Sequence, residues 1–442
     1  MSLSDKIKST ILSGIVPANQ RKVGVEIEGL YYTSGFNRLP VNKTTQYSAV
    51  DLLKEIIQST KKDFPFSYSL EPGGQLEWAS GPSISLWDIQ KQFEDHKKIE
   101  DSICKKHFID RLYLSLEPFC LPSDVDLIKV NKYQLMHNLF TKTGALGPWM
   151  MRNTTSIQLN IDITSEQDAN EMAFLADAIQ PLYSILFSNS PFMHSKPVDT
   201  KNMRWKIWAD TDPGRCGSLF EHGIVSDDKI IDNYAAWISK VKTIFKYSEN
   251  EDTDYFEGTL GEMILSEPSK MQQHIHSALH QSFTHVRFKT VLEVRAADRP
   301  PKGSELAPAA FLTGLLTAPK TRAEAVDVIS KWSYDDRKKL IKTAHNLLLN
   351  QLGPENKSIG DWLEFWAELS LNGLNEREKI FGIKNERPLV QSFLEDVLVR
   401  NPKTIQTQNM FQKTNASLHL SLIHISEPTR RTPISYAVFC LK

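Results

Sequence analysis

Glu26 and Glu28 stand two residues apart in Gly-Val-Glu-Ile-Glu-Gly-Leu (24–30). On a strand, residues i and i+2 point to the same face. Two carboxylates on one face repel unless a cation or a partner neutralises them. A solvated strand with two surface glutamates is the plainer alternative. Glu-Pro-Gly-Gly-Gln-Leu-Glu (71–77) adds Glu71 and Glu77 around a Gly73-Gly74 pair. Glycines open backbone conformations closed to other residues, so a tight turn there could admit a polar ligand, or be an ordinary hairpin. In Thr-Ser-Ile-Gln-Leu-Asn-Ile-Asp-Ile (155–163), Ser156, Gln158, Asn160 and Asp162 share one strand face opposite four apolar residues. Such a face is either solvated or lines a site. Leu-Glu-Val-Arg-Ala-Ala-Asp (292–298) sets Glu293 beside Arg295. That pair is a salt bridge, or a metal ligand next to a phosphate clamp, since a guanidinium matches phosphate oxygens with a fixed fork of donors. Arg204 and Lys206 alternate with Trp205 and Ile207 in 203–215, which suits an anion-binding edge followed by an acidic turn. Taken together, acids on separate strands plus arginines suit Mg²⁺ ions holding ATP, because Mg²⁺ prefers carboxylate and phosphate oxygens. Neither a Walker loop nor a kinase-type glycine loop occurs, so a glycine cradle is not the means of holding phosphate.

These residues need strands to present them. The alternation predicts strands over 22–32, 111–119, 151–163 and 283–298, and two strand pieces around a Pro-Gly-Gly turn over 67–80, with the 203–215 segment also alternating. Helices are predicted over 4–13, over 85–107 opened by Ser85, and over 165–188 capped by Thr164 and Gln167. From about residue 305 the pattern is helical, with Ser333 and Asp336 opening a helix that Gly353 closes. Strands dominate the first two-thirds without strict alternation with helices. This predicts an α+β fold with a mainly antiparallel sheet rather than a doubly wound one. One catalytic domain over residues 1–416 is the simplest organisation. Residues 417–442 end in a sequence that resembles translated sequencing adapter, and are expected to be a non-native or disordered tail.

Composition narrows the class. The chain has 442 residues, 40% hydrophobic and 24% charged, with a net charge of −1. That excludes a strongly basic nucleic-acid footprint. No apolar run approaches the roughly 20 residues of a membrane-spanning helix, and the N-terminus has no secretory pattern. Four scattered cysteines give neither a disulfide framework nor a zinc site. A soluble, cytoplasmic enzyme with small-molecule substrates, no nucleic acid and no membrane is expected; the oligomeric state is left open.

In chain order, GVEIEGL, SLEPGGQLEWAS, MMRNTTSIQLNID, IQPLYSILFSNSPF, NMRWKIWADTD and VLEVRAAD closely resemble the plant and bacterial type of glutamate–cysteine ligase, over roughly residues 20–320. The resemblance implies a single catalytic domain with a curved, mainly antiparallel sheet, a funnel like that of glutamine synthetase, and helices packed around it. It implies ATP-dependent ligation of the glutamate γ-carboxylate to the cysteine amine through γ-glutamyl phosphate, with ATP and Mg²⁺. Carried over, Glu26, Glu28, Glu71, Glu77 and Glu293 form the acidic metal shell. Gln158 takes a cofactor-binding position among them. Arg295 is the catalytic, phosphate-contacting arginine. Arg204 holds the glutamate α-carboxylate, and Tyr133 lies near the substrate. Ile27 and Trp78-Ala79-Ser80 depart from the plant pattern beside this shell, which leaves the acceptor amine open. A related ligase with another acceptor, or a non-catalytic nucleotide- and metal-binding member, are the alternatives.

Overall fold

Seven strands build the main sheet of the computed structural model, which describes residues 1–225, 227–248, 252–414 and 418. They are β1 (Val23–Thr33), β2 (Ser67–Leu70), β3 (Leu76–Ala79), β4 (Ile109–Leu112), β5 (Ser156–Ile161), β6 (Val286–Phe288) and β7 (Leu292–Asp298). The order is β6-β7-β5-β1-β3-β2, and β4 pairs with the far half of β1. Every pairing in this sheet is antiparallel. The expected α+β architecture is therefore what forms.

The two faces of the sheet are unlike. Val23, Val25, Ile27, Trp78, Ile157, Leu159, Ile161 and Val294 are buried in one apolar cluster. Helix Glu166–Leu186 and helix Ala307–Thr317 contribute to the same cluster from the outside. Burying that face supplies the driving force for the layer, at roughly 25 cal/mol per Å² of apolar surface. The register then leaves no choice for the other face: Glu28 lies opposite Glu77, Glu26 opposite Gln158, and Glu293 opposite Asn160.

Several local expectations differ from the structure. Residues 203–209 form a helix, not an alternating strand. The alternation does not hold in the burial: Met203, Arg204, Trp205, Ile207 and Trp208 are all buried, on both sides of a helix of nearly two turns. The segment 151–163 divides into the end of helix Gly147–Asn153 and β5. The segment 283–298 is a short strand followed by a hairpin, not one strand. Of 111–119 only the start is strand. The cap of the helix from residue 166 is Ser165, whose hydroxyl accepts from the Asp168 N–H at 3.0 Å, one residue later than Thr164 and Gln167. Ser333 and Asp336 do form a capping box, but that helix ends at Thr343 rather than near Gly353. The tail expected over 417–442 lies outside the described residues, apart from Leu418.

Candidate functional site

The polar face of the sheet gathers the acids. Glu28 is buried and accepts three bonds from β5: the Ser156 N–H at 2.8 Å, the Ser156 hydroxyl at 3.0 Å and the Gln158 amide at 3.0 Å. Glu26 accepts from the Asn160 amide at 3.0 Å. Glu77 accepts from the Ser69 hydroxyl at 2.9 Å and lies within 3.5 Å of the Gln158 amide nitrogen. The amides that stand out on β5 are thus the spacers between acids on its neighbours.

Burial sets the charge of these acids. It pushes Glu28 up to about 7, with Glu71 adding to the rise against Arg204 and Arg295. Burial also raises Glu71, opposed by Lys132 and Arg295. Glu77 is held well above the usual range by burial, then by Glu71, Glu26 and Glu28. Desolvation and like charge both disfavour the anion, so this group of carboxylates is short of positive charge.

Glu71 reaches the face from the turn between β2 and β3. The Glu71 N–H donates to the Gln75 carbonyl at 2.9 Å, and the buried Gln75 side chain ties the turn to the Met151 and Thr154 carbonyls. Gly74 has φ +77°. At Gly73 a Cβ would stand 2.5 Å from the Arg152 backbone. The glycines are therefore required by a left-handed residue and by the close passage of residue 152, not by the approach of a ligand. The Tyr133 hydroxyl donates to the Leu70 carbonyl at 3.0 Å, next to Glu71. It braces the end of β2 instead of standing free for a substrate.

At the other edge, Glu293 is paired. Arg287 donates to it from the facing strand, Lys289 lies at 2.7 Å, and Arg295 is at 3.3 Å. Burial would raise Glu293, but Arg287, Lys289 and Arg295 outweigh it and hold the carboxyl well below the usual range. Arg287 and Lys289 were not anticipated, because their relation to Glu293 depends on the β6–β7 hairpin. Val294 opposes Leu159 and Ala297 opposes Ile157, so Arg295 and Ala296 bulge opposite Gln158. Bulges re-aim side chains beside functional sites, and here the Arg295 Nη1 donates to the Gln158 Oε1 at 2.7 Å. Burial alone would depress Arg295, yet Glu293, Glu26 and Glu28 raise it.

Arg204, on helix Met203–Ala209, is buried against β7. Its terminal nitrogens donate to the carbonyls of Ala296 at 3.2 Å and Arg295 at 3.4 Å, and Asp298 lies 3.9 Å away. Part of the expected carboxylate fork is thus occupied by the backbone. Asp298 in turn accepts from the Asn189 N–H at 2.7 Å, and the Asn189 amide bonds the Tyr113 and Arg299 carbonyls, which accounts for the Asn in FSNSPF.

Two expected neighbours of the acids belong elsewhere. Ile27 and Trp78 face each other across β1 and β3 and are 3% and 1% exposed, on the apolar side. Trp78 packs among Phe93, His96 and Phe66. Their departure from the plant pattern is a matter of the core, not of the acceptor amine.

Oxygen donors of this kind suit a hard cation. Mg²⁺ is usually held by one or two carboxylates plus phosphate oxygens rather than by a full protein cage. Among the described residues no three acidic, His or Cys side chains lie close enough to hold an ion by themselves. Glu26, Glu28, Glu71 and Glu77, none of which has a contact ion pair among the described residues, fit such shared sites. Glu293, already shared by three cationic side chains, does not. A cavity of about 250 Å³ opens beside Glu26, bordered by Ser80, Asn160 and Asp162. A larger one of about 600 Å³, bordered by Phe108, Arg111 and Lys302, contains none of these acids.

The model of glutamate–cysteine ligase family 2 matches residues 22–348, the span that contains the whole polar face. The chain belongs to this family. It is 30% identical over 320 residues to the chloroplastic glutamate–cysteine ligase A of Oryza sativa subsp. indica, covering 70% of this chain and 64% of that protein. It is 30% identical over 281 residues to the chloroplastic glutamate–cysteine ligase of Arabidopsis thaliana, covering 62% and 53%. The chain thus spans between half and two-thirds of the length of these curated relatives. A glutamate–cysteine ligase from Francisella tularensis, solved in complex with AMP, shares the fold with a TM-score of 0.58 at 12% identity, over 92% of this chain and 87% of that one. A bifunctional glutathione synthetase from Pasteurella multocida does so with a TM-score of 0.51 at 12% identity, over 96% and 53%. The cytoplasmic location expected from the sequence is overturned: the curated plant relatives are chloroplastic. Among the described residues no helix is long and apolar enough to cross a membrane.

Proposed function

We propose that this family member joins the γ-carboxylate of L-glutamate to the amine of L-cysteine at the expense of ATP, through γ-glutamyl phosphate, the first step of glutathione biosynthesis. Residues 1–416 act as one catalytic domain. The observation that carries this reading is the group of buried Glu28 with half-buried Glu71 and Glu77, each carboxyl raised, beside Arg295. The relatives' names agree with it.

The first step brings a carboxylate to a polyphosphate, and the two repel. Bound Mg²⁺ supplies neutralising charge between such partners. Glu26, Glu28, Glu71 and Glu77 would hold it from the protein side, and Gln158, whose oxygen accepts from Arg295, would offer a neutral oxygen beside them. Arg295 meets the transferring group, where fixed positive charge counts most as charge redistributes. Glu293 serves this step by holding Arg295, with Arg287 and Lys289 completing the pairing. Arg204 orients the amino-acid carboxylate, and Tyr133 keeps the Glu71 turn in place. No side chain is required as a covalent nucleophile. Mass spectrometry of the product from glutamate, cysteine, ATP and Mg²⁺ tests the reading. γ-Glutamylcysteine with stoichiometric ADP is expected, and ADP without an amide product contradicts it.

A further inference from the structure

Arg299 stands one residue beyond the end of β7 and is 4% exposed. Among the described residues it has no contact ion pair: the neighbouring acids Asp298 and Glu100 pair with Arg204 and Arg111 instead. Its Nε is buried without a partner. A buried cation with no carboxylate beside it is costly, so its remaining contacts call for a reason. The guanidinium carbon lies 5.0 Å from the Tyr113 ring, whose face favours a cation. The main chain of Arg299 is held at both ends. Its N–H donates to the Ser115 hydroxyl, and its carbonyl accepts from the Asn189 amide at 2.8 Å. Pro300 follows, which favours extended backbone at residue 299. From this fixed base the Arg299 Nη1 donates to the carbonyl of Glu28 at 2.9 Å.

That bond joins strands that are not neighbours, because β5 lies between β7 and β1. Arg299 crosses at the start of β5, where Ser156 lies opposite Asp298. The pairing of β1 with β5 stops at Ile27 and Ile157. One step on, side chains take over from the ladder. The Ser156 N–H donates to the Glu28 carboxylate at 2.8 Å, and the Glu28 carbonyl accepts from Arg299. The sequence makes room for this crossing. A Cβ at Gly29 would stand 2.7 Å from the Arg299 Nη1, so the glycine after Glu28 is what lets the guanidinium lie against β1. We infer that Arg299 is a positioning residue for the metal-holding carboxylate of Glu28: it ties the Glu28 peptide to the end of β7, so that Glu28 and Arg295 keep one spacing across β5. Arg299 itself touches neither metal nor substrate. This inference rests on the ligase reading above, in which Glu28 holds Mg²⁺.

The test is calorimetric titration of the full chain with Mg²⁺ in the presence of a non-hydrolysable ATP analogue. It compares wild type, Arg299→Met, Gly29→Ala and the double variant, with Arg299→Lys in place of Arg299→Met if that protein does not fold. Each single change should weaken Mg²⁺ binding by about tenfold, the scale for losing a group that orients a metal-holding side chain. The double variant should be no weaker than the weaker single one, because both changes break the same contact. The Mg²⁺ requirement for ligation should rise in step, with the glutamate KM unchanged. Ile27→Val, a core change on the same strand, should lower stability without moving Mg²⁺ binding. If the Arg299 and Gly29 variants lose stability but bind Mg²⁺ as the wild type does, Arg299 only braces the fold. The inference then falls while the ligase reading stands. Additive losses in the double variant also overturn it, as does an equal loss in Ile27→Val, since any loosening of β1 would then suffice. If the wild type neither binds Mg²⁺ with the nucleotide nor forms product, both fall together.

Discussion

The middle of the polar face and its β7 edge hold the same kind of residue in opposite states. Glu28 and Glu293 are both buried glutamates on antiparallel strands of one sheet. Glu28 has amide and hydroxyl partners and acidic neighbours, and rises to about 7. Glu293 has Arg287, Lys289 and Arg295, and falls well below the usual range. Burial pushes both upward, so the sign is decided by neighbouring charge. The edge is a finished structural unit that fixes an arginine. The middle is left short of positive charge, as a site that receives a cation must be.

The sharpest way to break this contrast is to neutralise each acid in turn. Glu293→Gln leaves Arg287 and its companions without their counter-charge. Breaking a buried pair from one side costs about 3–5 kcal/mol, and urea unfolding should show a loss of that order. Glu28→Gln removes a charge that burial already opposes but turns an amide NH2 toward donors that Glu28 accepts, so without divalent cations at pH 8 it should cost clearly less than Glu293→Gln. Equal losses in the two variants would erase the distinction. Kinetics sharpen it next. Arg295→Lys should lower kcat by about 10²-fold, the scale for losing a fixed charge-stabilising donor, whereas Arg204→Lys should mainly raise the glutamate KM. Steady-state rates with glutamate and ATP varied separate the two, and a reversed pattern would exchange the roles.

The pH dependence follows with a smaller effect. Glu28 is raised in the folded state from 4.5 to about 7. Its contribution to stability is therefore full below about 4.5 and lost as pH rises through about 7. Glu293 is lowered, so its contribution is present above the unfolded value and lost only as pH falls well below the usual carboxylate range. Thermal midpoints without divalent cation should decline from pH 5 to 8, and Glu28→Gln should flatten that decline. A flat wild-type profile would contradict the assignment. Smallest is Ile27→Val, which should cost about 1 kcal/mol as a core truncation and leave the preference for the acceptor amine unchanged. An altered preference would return Ile27 to the site.

What could be read from the sequence divides along the same line. Glu26 and Glu28, and the amides of β5, were legible because a period of two fixes faces without knowledge of partners. The pairing of Glu293 with Arg295 was legible from their spacing, but its further partners Arg287 and Lys289 were not. Arg287 meets Glu293 only through the β6–β7 hairpin, and the apolar residues of 283–298 alternate on through its three-residue turn as if it were one strand. The bulge at Arg295 and Ala296 is likewise a property of the pairing with β5. Helix Met203–Ala209 mimics alternation because it is less than two turns long and buries both flanks, Trp205 in the main core and Ile207 and Trp208 in a second cluster. The Gly73-Gly74 pair did announce a tight turn, but the chain it admits is residue 152, a contact between distant segments.

The central claim is that Glu28, raised to about 7, and Glu77, held well above the usual carboxylate range, keep protons near neutrality until a cation arrives. Calorimetric titration of the full chain at pH 7 with Mg²⁺ and a non-hydrolysable ATP analogue, in buffers of different ionisation enthalpy, counts the protons exchanged. Net proton release is predicted for the wild type, and a smaller release for Glu28→Gln. Tight binding with no proton release in either protein would show that the acids are already ionised, and would contradict the account.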